Sequence, residues 1–292
     1  MRGAAMAGDH EADRKAERGE LLETVSEIAR PNAYTLHEVI RLDGDEELRR
    51  NGLALFLSAF SAGLTIALSL IVPGVLKALL PDAGWTRVVT TMGYAVGFLV
   101  VVLGRQQLFT ENTVTPILPL LHDRSAKTAW RVLRLWGIVL CGNILATLAI
   151  ATVLAHAGAF EPPVLHAFSQ ISHDAIAHDF AATFVKAVFA GWMIALMVWF
   201  LPASGSAAPF MIMLMTWLVS LCGLAHVVAG SVEAFYLVVT GAASIGDYVG
   251  RFFVPTLVGN AFGGVTLVAV LNYGQVAPQV EEVRQIEGER PD

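Results

Sequence analysis

Charge is the scarcest thing in this sequence. Asp, Glu, Lys and Arg make up 15% of the 292 residues, where a soluble domain carries about a quarter. So few charges argue against an ordinary soluble globular protein. Cysteine is almost missing: Cys141 and Cys222 both sit in apolar stretches, report nothing about redox compartment and form no metal-ligand spacing. No metal and no cofactor is expected. A basic face is missing as well, because the formal net charge is −6, which argues against nucleic acid as a partner. Residues 1–50 are polar and lack the apolar core of a signal peptide, so no cleaved leader is expected.

What the sequence has in quantity is apolar residues, 55% of the chain, with a mean hydropathy of +0.61. A helix crossing a bilayer core needs roughly 20 of them in a row. Residues 51–76 carry no charge and predict span one; 88–104 predict the main part of span two, and 135–155 span three. Residues 187–225 contain no Asp, Glu, Lys, Arg or His, a run too long for one helix. Pro202, Gly205 and Pro209 punctuate it, which predicts a tight hairpin between spans four and five. Residues 252–271 predict span six. The expected protein is an all-α integral membrane protein with three parts. Residues 1–50 form an arm, with an amphipathic helix over 36–50 at the membrane surface. Residues 51–273 hold the spans, and 274–292 form a tail.

Basic residues set the orientation. Eight of the 19 Lys and Arg lie in the first fifty positions, and Arg124, Lys127, Arg131 and Arg134 follow span two, while residues 157–185 have neither Lys nor Arg. With six spans, the two termini, that loop and the hairpin share one side, and the excess of positive charge makes it cytoplasmic.

The chain also repeats itself. Residues 59–68 read AFSAGLTIAL and residues 187–196 read AVFAGWMIAL, identical at six of ten positions. Gly142-Asn143 in span three is matched by Gly259-Asn260 in span six. Small residues let helices pack closely, which alone could produce such matches. Their corresponding order favours two halves of three spans. Three is odd, so the second half enters from the opposite face and the repeats are inverted, an arrangement typical of transport proteins with broken helices in corresponding spans.

Spans two and five are both interrupted. Residues 105–116, RQQLFTENTVTP, follow the apolar part of span two. Such backbone cannot face lipid and belongs against protein or a water-filled cavity. A half-helix starting near Asn112 or Thr113 would aim its positive end there. Span five breaks at Gly223-Leu224-Ala225-His226, with Gly230, Ser231 and Glu233 close behind. A histidine inside a span is costly to bury and points to function, although a structural hydrogen bond would also account for it.

Taken in order, these motifs resemble those of the formate/nitrite transporter family over all six spans. Leu108-Phe109-Thr110 with Asn112 is similar to the family's Leu-Phe-Thr-Gly-Asn break, Gly223-Leu224-Ala225-His226 to its span-five break, and the two Gly-Asn pairs to its own. The resemblance implies an aquaporin-like helical fold and a homopentamer in the bacterial inner membrane. It also implies a pore in each protomer for small monovalent anions such as formate, nitrite or hydrosulfide, and no catalytic activity. It casts His226 as a midplane donor, Thr110 as a hydroxyl contact, and Leu108 and Phe109 as a constriction, where ordinary packing is the plain alternative; Glu111 and Asn112 fall on the same substrate path. Gly142, Asn143, Gly191, Gly259 and Asn260 take supporting, packing roles.

Three departures stand out. Glu111 replaces the family's small residue; it either pairs with Arg105 or caps the half-helix, or else it occupies the positive end that would greet an anion. The family's lysine before span four is missing, with Lys186 further along and His166, His173 and His178 nearby. Gly191 stands where the family has Asn. These resemble a divergent, YfdC-like branch. Glu111 keeps open a pore for ammonium or another small cation or neutral solute, and the charged termini keep open a membrane scaffold or sensor. Paired Asn-Pro-Ala boxes are absent, which argues against a water or glycerol channel. No Gly-x-Ser-x-Gly context supports an intramembrane protease.

Overall fold

The computed structural model describes residues 31–288. Most of the predicted arm, residues 1–30, and the last four residues of the tail lie outside the described residues.

Polar caps mark where the apolar runs begin. Asn51 accepts a hydrogen bond from the Leu53 amide (2.8 Å), Ser125 from Thr128 (3.1 Å) and Asp179 from Ala182 (2.8 Å). Ser244 and Asp247 close a reciprocal capping box. Each satisfies amides that the first helical turn leaves free.

Helix α1, Ala33–Arg49, precedes the spans. Span one is α2 (Gly52–Thr65) and α3 (Leu68–Leu79), joined by a short irregular turn. Span two is α4 (Thr86–Met92) and α5 (Ala95–Leu103), followed by the first break and the half-helix α6 (Ile117–Asp123). Span three is the single helix α7, Ala126–His156. Helix α8, Pro162–Ile176, leads to span four, α9 (Phe180–Ser204). The expected hairpin at Gly205 separates it from α10, Ala208–Leu221. After the second break comes α11, Ala229–Val239. Span six contains a π-helix Tyr248–Phe253, α12 (Val254–Gly264) and a second π-helix Val265–Val270. It continues without interruption as α13, Leu271–Gly288.

Among the described residues, five helical runs are long and apolar enough to cross a membrane. One of them, Phe180–Leu221, is the α9–α10 hairpin, so six spans result. Outward-facing Leu53, Leu79, Trp130 and Phe210 are more than half exposed, as side chains bathed in lipid would be.

The two halves pack alike. Helix α2 lies against α7 and α9 against α12. A Cβ on Gly63 would sit 2.6 Å from the Asn143 carbonyl oxygen, and one on Gly191 would sit 2.3 Å from that of Asn260. Only glycine permits either approach.

Helix α1 covers the stretch where an amphipathic helix at the membrane surface was expected. Its face of His37, Ile40, Gly44 and Leu48 is buried against α6, α7, α9 and α13. Its other face carries the pairs Arg41–Glu38 (2.8 Å) and Arg41–Asp45 (2.9 Å). The tail is helical through α13, whose Val276 and Val280 are buried.

Candidate functional site

Each break opens with the same backbone device. After α5 the chain turns through Arg105 at φ 48°, and the Gln106 amide bonds the Val101 carbonyl at 3.0 Å. After α10 it turns through Gly223 at φ 61°, and the Leu224 amide bonds the Val219 carbonyl at 2.9 Å. A left-handed residue with such a long return bond satisfies carbonyls at a helix end.

A buried asparagine then pins each break. The Asn143 side-chain amide donates to the carbonyls of Ala59 (2.7 Å) and Gln107 (2.9 Å), while its oxygen accepts from the Phe109 amide (3.0 Å). Asn260 donates to Ala187 (2.8 Å) and Ala225 (2.9 Å) and accepts from Val227 (2.8 Å). The partners correspond residue for residue: Ala59 with Ala187, Gln107 with Ala225, Phe109 with Val227. These bonds satisfy extended backbone that hydrocarbon would leave unpaired. Gly142 and Gly259 let the asparagine helices approach, since a Cβ on either would fall within 3 Å of the facing alanine methyl (2.8 Å and 2.6 Å).

On this correspondence Leu108 occupies the place of His226. Leu108 is fully buried, and Phe109 packs edge-on against Trp136 at 5.7 Å. His226 is 1% exposed and meets the edge of Phe98 at 4.9 Å. The two breaks touch where His226 Nε2 lies 2.7 Å from Thr110 Oγ1. The tautomer follows from the other ring nitrogen. The Ala229 amide lies 3.2 Å from Nδ1 and can only donate, so Nδ1 accepts and the neutral imidazole carries its proton on Nε2, aimed at Thr110.

The half-helix after the first break starts later than the sequence suggests. Residues Glu111–Thr113 form one 3-10 turn, and α6 begins at Ile117. Pro116 has no amide to continue a helix from Asn112, and the Asn112 carbonyl instead accepts from Trp136 Nε1 at 2.8 Å. The Asn112 side chain stays inside the break, donating to Gln107 Oε1 (2.9 Å) and the Leu108 carbonyl (3.0 Å). Glu111 meets neither of its plainer expectations: among the described residues no ion pair involves it, and the 3-10 turn has Thr110 as its cap. Its Oε1 is buried without a hydrogen-bond partner.

His226 also forms the inner end of a cavity of ≈ 380 Å³ on the side of the loops after spans one and three. Exposed Lys77, Asp82, Arg87 and Asp174 stand at its mouth, and Glu233, Tyr94 and Lys186 line its wall. Lys186 reaches His178 Nε2 at 2.8 Å. Of the residues expected on the substrate path, His226 lines this cavity, and Leu108, Phe109, Thr110, Glu111 and Asn112 are not among its lining residues. Sequence reasoning noted Glu233 only as a neighbour of the break and missed Asp174 and Gln107. The signal for Glu233 was available, since a carboxylate two helical turns beyond His226 shares its face.

The sequence profile described as Formate/nitrite transporter matches residues 34–274. The inner membrane protein YfdC of Escherichia coli (strain K12) is 38% identical over 271 residues, which is 93% of this chain and 87% of that protein. The formate channel BtFdhC of Bacillus thuringiensis is 25% identical over 223 residues, covering 74% of this chain and 84% of that one. Among solved structures, a pentameric formate channel with formate bound superposes with a TM-score of 0.65 at 20% identity, covering 76% of this chain and 96% of its own. An FNT family ion channel superposes with a TM-score of 0.68 at 17% identity, covering 83% and 96%. At those identities the superpositions speak for the fold, and the fold is the same.

Proposed function

The chain belongs to the formate/nitrite transporter family, and on that premise we propose that it conducts small monovalent anions of the formate, nitrite or hydrosulfide type. The path runs through each protomer of a homopentamer in the bacterial inner membrane. Both termini are cytoplasmic, with 1–50 as the arm, 51–273 as the pore and 274–292 as the tail. The contact between Thr110 and His226, joining the two breaks at the inner end of the cavity, carries this reading.

The chemistry follows from desolvation. A bare anion at the midplane loses its hydration, which is costly and favours the neutral form of a weak acid. The Nε2–H of His226 donates to Thr110 Oγ1 at rest and turns this hydrogen bond to a substrate oxygen as the substrate arrives. Leu108, Phe109 and Phe98 form the apolar walls through which only the neutral acid passes cheaply. Asn143, Asn260 and the glycines hold both breaks open in the bilayer.

A second reading rests on Glu111, whose buried oxygen lacks a partner. A carboxylate beside Thr110 favours ammonium or a neutral solute over an anion. Stopped-flow flux in proteoliposomes, comparing formate, nitrite, hydrosulfide and ammonium with empty vesicles, separates the readings. The first predicts that at least one anion moves faster than in the control and that ammonium does not. Ammonium flux alone supports the second, and no flux at all supports a membrane scaffold. If Glu111→Gly raises anion flux, the carboxylate was opposing anions.

A further inference from the structure

The Thr110–His226 geometry leaves a proton unaccounted for. Nε2–H of His226 is engaged by Thr110 and Nδ1 by the Ala229 amide, so the resting imidazole has no proton to release into the cavity. An anion that must become a neutral acid before the constriction needs another donor on the cavity side. Glu233 lines that cavity together with His226. It stands on α11, about one turn into the helix and seven residues beyond His226, where its side chain shares the cavity with Tyr94.

Three cations also line the cavity, yet none of them neutralises this carboxyl. Among the described residues Glu233 and Asp174 take part in no ion pair. Lys186 is turned to His178, and Arg87 donates to the Leu221 carbonyl at 3.2 Å. Lys77 and Asp82 stand at the mouth. Asp174 on α8 lines the same cavity as Glu233. From the other elements packed on α11, span six presents Tyr248, bonded to Ser231, and α7 presents His156, bonded to the Val239 carbonyl. A carboxyl that opens on a polar cavity and has no paired cation can both release a proton to a solute and take one up from water.

We propose that Glu233, beside Asp174 in the outer cavity, protonates the permeating anion before it reaches His226. The inference rests on the anion reading above. The O–H bond of the Glu233 carboxyl breaks as a new one forms on the anion, giving the neutral acid and a carboxylate. The exposed carboxyl of Asp174 passes a replacement proton from water to Glu233. The acid crosses the constriction and ionises on the far side, so one proton travels with each anion.

The test is formate entry into proteoliposomes carrying an internal pH dye, followed over a range of external pH. Wild type is expected to acidify the interior as formate enters. Glu233→Gln is expected to slow entry at neutral external pH at least tenfold and to flatten its rise as external pH falls, with Glu233→Asp restoring the rise. Wild-type rate and profile in Glu233→Gln would overturn the inference while leaving the anion reading standing. Absence of anion flux in wild type would remove both. Should Glu233→Gln fail to assemble by gel filtration, Asp174→Asn decides. It is expected to slow formate entry at neutral external pH severalfold, because Glu233 loses its relay of protons from water, and an unchanged rate contradicts the proposal.

Discussion

The first and second breaks share a backbone and differ in their side chains. Both leave a helix through a left-handed residue, Arg105 or Gly223, and both are held by one asparagine that donates two hydrogen bonds and accepts a third. Yet where one places Leu108 the other places His226, and where one carries Glu111 the other carries Ala229. The scaffold requirement, satisfying irregular backbone inside a bilayer, falls equally on both halves and has been met the same way twice. The chemical requirement falls on the path between them, where an apolar wall and a polar station are needed once each. Repetition therefore identifies the frame, and departure from repetition identifies the chemistry.

The comparison is broken most severely at the asparagines. Asn143→Ala and Asn260→Ala each remove three hydrogen bonds and leave buried carbonyls and an amide unpaired, at about 1–3 kcal/mol per orphaned group. Thermal unfolding in detergent should show both variants strongly destabilised and to a similar extent; a large loss in one half only would contradict the equivalence. Next are the close approaches. Gly63→Ala and Gly191→Ala place a methyl within 2.6 Å and 2.3 Å of a backbone oxygen, and overpacking of that kind costs roughly 1–3 kcal/mol. The same unfolding assay should rank Gly191→Ala as the worse of the two.

Much of this frame could be read in the sequence. The matched decapeptides, the paired Gly-Asn motifs and the parity of the spans led to inverted halves and to both breaks. Local polar residues in apolar runs are conspicuous, because hydrocarbon penalises them wherever they point. The cavity was less accessible. Asp174, Lys186 and Glu233 come from three separate elements, and only packing brings them to one wall. The late start of α6 was hidden for a similar reason: the Asn112 carbonyl is taken by Trp136, far along the chain. Docking of α1 and α13 against each other likewise brings together His37 and Tyr273, whose rings lie 5.7 Å apart and which periodicity alone does not pair.

A smaller and opposite pair of effects sharpens the comparison. Arg105 adopts at φ 48° a conformation that costs an ordinary residue about 1–2 kcal/mol. Arg105→Gly should therefore stabilise the protein by roughly 0.5–1 kcal/mol, whereas Gly223→Ala at the matching position should destabilise it by about 1 kcal/mol. Equal signs in denaturant titrations would show that the two turns are not equivalent.

The smallest effect concerns α1, which has no counterpart in the second half. Burial holds His37 below its usual range, against the pull of the neighbouring Glu38 carboxylate. The docked helix thus favours neutral imidazole. Its stability is full above the unfolded value of about 6.5 and is lost as pH falls below that. Hydrogen exchange of the α1 amides, corrected for intrinsic rate, should speed up between neutral and mildly acidic pH. His37→Leu should remove that dependence, and an unchanged dependence in the variant would assign it to another group.

The central claim is that the two breaks meet at His226 and Thr110 to form the polar station of a pore. The most direct measurement is the external-pH profile of anion flux in proteoliposomes for wild type and His226→Phe. Wild-type flux should rise as external pH falls, and the variant, assembled normally, should lose most of its flux at every pH. A variant that conducts with the wild-type profile would contradict the claim.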